Sequence, residues 1–275
     1  MDEDFIDERK PARRFELATE SVARSRLDGF RDTVKKFQKQ HPEVLGATIF
    51  GSMIRGDKAK ASSDVDAFLY VDADTLPSKD RTQEAKTLED QYHSGLLKEL
   101  GVSGEEAKKL YGDLIPKLLS SEILDQNIKN NVEDENEYLA FREKRREVDT
   151  STMSQEEKDK FYAEEPEKKR AIDNFEIGGM FHARVGSGVE KYRKMFLEKL
   201  IALPDRKMAE RIWRGVYAQI STMEGGDKKR KLPQTLEDAL QTYHPELYRT
   251  LIQAKDQERI DDIRENLQGL YSNEV

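Results

Sequence analysis

Two short apolar runs constrain this chain more than anything else in it. Val44-Leu45-Gly46-Ala47-Thr48-Ile49-Phe50 carries no charge, and Asp64-Val65-Asp66-Ala67-Phe68-Leu69-Tyr70-Val71-Asp72 is apolar in its body and carboxylated at its start. In a 275-residue chain where 37% of residues are charged, against about a quarter in an ordinary domain, such runs are too short for core helices and read as buried strands. Helical periodicity surrounds them. Leu27, Phe30, Val34 and Phe37 recur at three- and four-residue spacing over 20–40, and that helix should stop at His41-Pro42, because the residue before proline is pushed out of the helical region. Leu88, Tyr92, Leu96 and Leu100 mark a second helix over 81–100, and Ser103-Gly104-Glu105-Glu106 has the form of a capping box opening a short third one. A third strand is expected over 113–119, confined by Pro116 to an edge or a bulge, since proline cannot donate to a ladder. Ser120-Ser121-Glu122 then caps a helix reaching about residue 130.

Residues 131–169 are dominated by charge and fit a linker or peripheral arm. Beyond them the texture is helical: apolar spacing from 171 to 183, a helix over 189–203 ended by Pro204, then Met208, Ile212, Val216 and Ile220 at strict four-residue spacing. Gly225-Gly226-Asp227 breaks the pattern, the basic run 228–231 follows, and two more helices complete the chain, the last with Leu247, Leu251, Ile260, Ile263, Leu267 and Leu270. The expected class is α+β: a small mixed-sheet domain with flanking helices over 1–130, a charged segment over 131–169, and an all-helical C-terminal domain over 170–275.

Composition removes several chemistries. With no cysteine there is no disulfide, thiolate metal site or cysteine nucleophile, and only His41, His93, His182 and His244 remain as soft ligands. Any metal is then expected on carboxylates. The 47 basic and 55 acidic residues give a formal charge of 47 − 55 = −8, distributed as solvated helix faces rather than blocks. That acidity argues against a general nucleic-acid binder, which needs a basic surface to displace counterions. The acidic start Met1-Asp2-Glu3-Asp4 lacks the positive charge of a signal peptide, and no apolar run approaches the roughly 18 residues of a spanning helix. The expectation is a cytoplasmic protein with no membrane partner.

The stretch that carries chemistry joins the two strands. Side chains alternate along a strand, so Asp64 and Asp66 should project from one face while Val65, Ala67 and Leu69 pack on the other. Two carboxylates on one face make a hard-cation site, and Mg2+ takes one or two carboxylates together with substrate phosphates; a pair of such ions can clamp the attacking and leaving oxygens of an in-line displacement. Ahead of them, Gly51 permits close backbone approach, Ser52 offers a hydroxyl and an N–H to a phosphate, and Arg55 adds a planar fork. A Gly-Ser alone is an ordinary turn, and an isolated Asp-x-Asp a solvated strand end; it is their combination that points to a site.

Gly51-Ser52-Met53-Ile54-Arg55-Gly56 followed by Asp64-Val65-Asp66 resembles the DNA polymerase β-like nucleotidyltransferase superfamily, over about residues 20–130, and within it the stand-alone small-molecule enzymes of aminoglycoside type. The resemblance implies a nucleotidyltransferase domain in which Asp64 and Asp66 bind the metals, with two Mg2+ ions. It also implies that Gly51 and Ser52 contact the β- and γ-phosphates of a nucleoside triphosphate, assisted by Arg55. The family's third carboxylate falls on Asp113, at the start of the proposed third strand; Glu122 and Asp125 are the weaker candidates because they sit in a helical stretch. The implied reaction transfers a nucleoside monophosphate, from ATP or another triphosphate, to an acceptor hydroxyl with release of pyrophosphate. A cationic small-molecule acceptor suits the acidic chain; protein nucleotidylation and a catalytically degenerate nucleotide-binding protein are the alternatives.

Other motifs fail. Gly46 to Met53 has the glycine spacing of a P-loop, but Ser52 stands where its Lys belongs and Met53 where Ser or Thr belongs. Asp72-Ala73-Asp74 is no calcium loop, because Pro77 takes the glycine position and Gln83 that of the bidentate Glu. Gly186-Ser187-Gly188 lacks the spacing of a nucleophile elbow.

Overall fold

The computed structural model describes residues 18–76, 85–111, 113–148, 150–163, 176–182, 184–185, 188–223, 233–254 and 257–272. Helix α1 spans Ser21–Gln40, with the Glu20 carboxylate accepting the Ala23 N–H at 2.8 Å as its cap. Its periodic positions Leu27, Phe30, Val34 and Phe37 are all buried. Strand β1, Val44–Phe50, is buried throughout and pairs antiparallel with β2, Asp66–Asp72. Helices α2, Ala85–Glu99, and α3, Gly104–Tyr111, lead to β3, Leu114–Leu119, which runs parallel to β2. A two-residue β4, Arg184–Val185, pairs with the free side of β1, so the mixed sheet has the order β3-β2-β1-β4. Pro116 sits on the outermost strand, where a missing donor costs no ladder bond. The second strand begins two residues later than the pattern suggests, because the Val65 N–H is taken by the Leu110 carbonyl at the end of α3, at 2.9 Å; Asp64 therefore lies on the approach to β2.

The period-two alternation of β2 divides the core. Ala67, Leu69 and Val71 pack with Leu27, Phe30, Val34 and Leu96 under α1 and α2. Phe68 and Tyr70 face the other way, into a cluster with Leu124, Ile128, Phe196 and Trp213. The second face is thus covered by α4, Ser121–Glu147, and the C-terminal helices α6, Glu190–Ala202, and α7, Arg206–Met223. The segment leading into β4 lies against the sheet: Thr48 Oγ1 donates to the Gly179 carbonyl and the Tyr70 hydroxyl to the Glu176 carbonyl, both at 2.8 Å. Only glycine fits at 179, since a Cβ would lie 2.2 Å from the Tyr70 hydroxyl oxygen.

Two expectations need correction. The helix capped by Ser120 does not end near 130 but continues to Glu147, and α5, Gln155–Ala163, follows it. Residue 130 therefore falls inside a helix, and Asn131, Glu135 and Phe141 beyond it are buried. Among the described residues after 233 there are three helices rather than two: α8, Leu236–Tyr243, α9, Pro245–Gln253, and α10, Gln257–Ser272. The extra break falls between Leu251 and Ile260, which the spacing places in one helix: Ala254 turns to extended backbone (ψ 113°) and ends α9. The predicted break at 225–227, the basic run 228–231, positions 81–84 and 171–175 of predicted helices, and Gly186-Ser187 lie outside the described residues. Among the described residues, no helix is long and apolar enough to cross a membrane.

Candidate active site

Strand directions decide where the chemistry collects. Because β1 is antiparallel to β2 and β2 parallel to β3, the end of β1 and the starts of β2 and β3 meet at one end of the sheet. Gly51-Ser52, Asp64-Val65-Asp66 and Asp113 are the residues at those three ends. The register pairs Phe50 with Asp66 and Ala67 with Leu114, and the Ala67 N–H donates to the Asp113 carbonyl at 3.1 Å.

Gly51 begins a single 3-10 turn, Gly51–Ile54, held down by buried Met53 and Ile54. Its φ of +75° suits glycine, and contact makes the requirement stricter: a Cβ here would lie 1.9 Å from Asp66 Oδ2 and 3.0 Å from its Cγ. The Asp66 carboxylate therefore rests on the bare Cα of the turn. The Arg55 N–H closes the turn on the Ser52 carbonyl at 3.0 Å, and Gly56, φ +60°, opens a second short turn. The Met53 carbonyl accepts the Ala18 N–H at 3.0 Å, so the chain just ahead of α1 runs along the same turn.

Asp66 is half-buried, and its carboxyl is pushed up to about 7. Burial is the largest cause; the negative charges of Asp64 and Asp113 and a hydrogen bond between the Asp66 and Asp113 side chains add to it, while the Arg55 guanidinium opposes it. Asp64, Asp113 and Arg55 thus all lie within electrostatic reach of Asp66. Ser52 and Asp64 are half-buried and Asp113 is exposed, leaving the cluster open to solvent on one side. The weaker candidates are elsewhere: the Asp125 carboxylate accepts from Lys199 Nζ at 2.6 Å, and Glu122 is exposed in the first turn of α4.

Among the described residues, no group of three or more His, Asp or Glu side chains is arranged as a ready metal cage. The donor chemistry nevertheless suits a hard divalent cation: every candidate ligand is a carboxylate oxygen, and the repulsion from Asp64 and Asp113 that adds to the effect of burial on Asp66 is what a cation would relieve. The second acidic pair, at the far end of β2, is used differently. The Tyr192 hydroxyl lies 2.6 Å from Asp72 Oδ1 and 2.7 Å from Asp74 Oδ2, with Lys191 Nζ 3.7 and 3.9 Å from the same two side chains. This group ties α6 to the sheet.

One residue of the site region escaped the sequence pattern. Arg26, on α1, donates to the carbonyls of Ala61 and Ser63, 35 and 37 residues away, and nothing local in the sequence announces so distant a contact.

The chain belongs to the nucleotidyltransferase family: the family model described as a nucleotidyltransferase domain matches residues 30–175, more than half of its 275. The match contains the Gly-Ser turn, both acidic segments and all of α4. Neither the curated proteins nor the solved structures hold a match to this chain.

Proposed function

We propose that this protein transfers a nucleoside monophosphate from a nucleoside triphosphate to an acceptor hydroxyl, releasing pyrophosphate. The observation that carries this reading is the contact set around Asp66, whose carboxylate rests on Gly51 and reaches Asp113 while Asp64 and Arg55 stand close by. Asp64 and Asp66 would hold Mg2+, two ions in the full reading, with the substrate phosphates completing coordination; when bound, the metal neutralises charge on the phosphates and on the attacking oxygen. Asp113 would take the proton of the acceptor hydroxyl, for which its exposure suits it. Gly51 lets the triphosphate approach the backbone, Ser52 offers its N–H and hydroxyl, and Arg55 holds a fixed positive charge beside the phosphates. Rate acceleration in such a site comes mainly from positioning and electrostatic preorganisation.

The acceptor is assigned to cationic small molecules of aminoglycoside type, on the strength of the −8 charge of the chain, with the helices after residue 170 shaping its pocket. Protein nucleotidylation is the alternative acceptor class. A degenerate, binding-only protein would leave the third carboxylate away from the pair, and the contact between Asp113 and Asp66 weighs against it. The test follows pyrophosphate release from the four nucleoside triphosphates with Mg2+ and pooled acceptors containing aminoglycosides, protein or RNA, in wild type and in Asp64→Asn/Asp66→Asn. Release that needs both aspartates with one pool names the acceptor class. Nucleotide binding without release from any pool overturns the transferase reading.

A further inference from the structure

We propose that Arg26 is the positioning residue that holds the acidic cluster in shape, and that it does so from α1 by clamping the backbone that leads into Asp64. The inference rests on the reading of Asp64 and Asp66 as the metal-binding carboxylates, with Asp113 beside Asp66, and extends it to a residue outside them.

Of the three carboxylates, only Asp66 lies within a strand. Asp64 follows the turn 60–63, whose internal bonds are Ser63 N–H to the Lys60 carbonyl at 2.9 Å and Lys60 N–H to Ser63 Oγ at 3.0 Å. That turn is exposed and polar, and nothing in its own sequence gives it an apolar anchor except buried Ala59 and Val65 at its two ends. Arg26 supplies the missing attachment. Its Nη2 donates to the Ala61 carbonyl at 2.8 Å and its Nη1 to the Ser63 carbonyl, the last one before Asp64. A guanidinium can span two carbonyls with one rigid plane, which an ammonium cannot. The same side chain lines an open groove of about 490 Å³ together with Tyr111, two residues ahead of Asp113. Tyr111 is itself stacked on Phe30 of α1, with ring centroids 6.0 Å apart. α1 thus braces both loops that present carboxylates, through Arg26 on one side and through the Phe30 to Tyr111 stack on the other. With Nη1 and Nη2 each bonded to a carbonyl, Arg26 is placed to act through the backbone.

The test uses the full chain as wild type, Arg26→Ala, Arg26→Lys and Asp66→Asn. Three quantities are read: urea stability, amide exchange at Val65 and Ala67 against Ile49 and Leu69 as core references, and Mn2+ affinity by electron paramagnetic resonance. Arg26→Ala should speed exchange at Val65 by about tenfold or more while Ile49 and Leu69 stay protected, and weaken Mn2+ binding by about 10- to 100-fold, the range of a lost outer-shell contact. Arg26→Lys, which keeps the charge and loses the fork, should fall between the two. Unchanged Mn2+ affinity and unchanged Val65 exchange in Arg26→Ala would overturn the inference while leaving the metal-site reading intact. If Arg26→Ala loses global stability, Arg26→Lys decides: full Mn2+ affinity in a folded Arg26→Lys protein overturns the need for the fork. Wild-type protein that binds no more Mn2+ than Asp66→Asn would overturn the metal-site reading and, with it, this inference.

Discussion

The contact between Gly51 and Asp66 makes a prediction with a built-in control. In Gly51→Ala the new methyl would lie 1.9 Å from Asp66 Oδ2 and 3.0 Å from its Cγ, but 3.4 Å from its Cβ. The first two distances are clashes and the third is close to ordinary contact. Two costs follow. Holding alanine at φ +75° costs about 1–2 kcal/mol for left-handed backbone, and forcing the Asp66 carboxylate aside, off its rotamer, adds about 1–2 kcal/mol. Gly51→Ala should therefore lose about 2–4 kcal/mol. Asp66→Ala deletes Cγ and both oxygens and leaves only the Cβ, so Gly51→Ala in that background should lose only the backbone part, about 1–2 kcal/mol. The coupling in a double-mutant cycle is the difference, about 1–2 kcal/mol, well above the few tenths expected of independent sites. Urea denaturation of the four proteins measures it in the absence of nucleotide and metal. Additivity would refute the claim that the carboxylate rests on the turn, whatever the variants do to turnover.

Asp66 also predicts a pH dependence. Its pKa is raised from 3.8 to about 7, so the stability it contributes is full below about pH 4 and lost as pH rises to about 7. Asp66→Asn cannot ionise and escapes that loss; the raw shift corresponds to about 4 kcal/mol at ~1.4 per unit, which solvent screening at a half-buried site reduces to about 1–2 kcal/mol. Without divalent ions the variant should melt higher than wild type at pH 8 and nearly equal to it at pH 4, and a difference that is flat over this range would refute the assignment. Asp125→Asn should leave turnover unchanged and cost about 1–2 kcal/mol, because it removes the charge facing Lys199, a side chain only 3% exposed; a loss of turnover with the fold intact would return Asp125 to the catalytic candidates. Gly179→Ala should cost about 1–3 kcal/mol by overpacking, since its Cβ would sit 2.2 Å from the Tyr70 hydroxyl oxygen and 2.9 Å from the Phe68 ring. Tyr70→Phe in the same chain should recover part of that loss in thermal denaturation, and full additivity would show that the two do not touch.

How far the sequence carries depends on whether the signal is local. α1 and both buried strands were legible because their apolar spacing is unmixed, and a single residue, Pro116, narrowed β3 to an edge or a bulge, of which the sheet order shows the edge. The length of α4 was hidden because its buried face turns largely polar from Asn127: Asn127, Asn131 and Glu135 keep the helical spacing without apolar identity. They are buried because they are paired, Asn131 Nδ2 bonding the Asn127 carbonyl within α4 at 2.8 Å and Glu135 facing Arg211 of α7 at 3.7 Å, and the second of these, with a distant helix, leaves no local mark. The packing of the C-terminal helices directly on Phe68 and Tyr70 was hidden for the same reason: an uninterrupted apolar strand says that both faces are buried, not what buries them.

The site divides along the same line. Gly51, Ser52, Asp64 and Asp66 belong to one hairpin-like unit and can be read in sequence order. Asp113 is reached only through the parallel pairing of β2 with β3, and Arg26 only through a contact spanning more than thirty residues. This split has a mechanical consequence. A carboxylate set in a ladder, as Asp66 is, is fixed by the cooperative sheet, whereas Asp64 and Asp113 lie just outside the strands, beside the backbone bonds from Val65 N–H to Leu110 and from Ala67 N–H to the Asp113 carbonyl. Geometry in an active site tolerates little error, so the precision of the cluster must come from outside the two motifs that announce it. The brace of α1 against both loops is where that precision is held, and for that reason α1, which carries none of the acidic candidates, should be as sensitive to substitution at Arg26 and Phe30 as the turn is at Gly51.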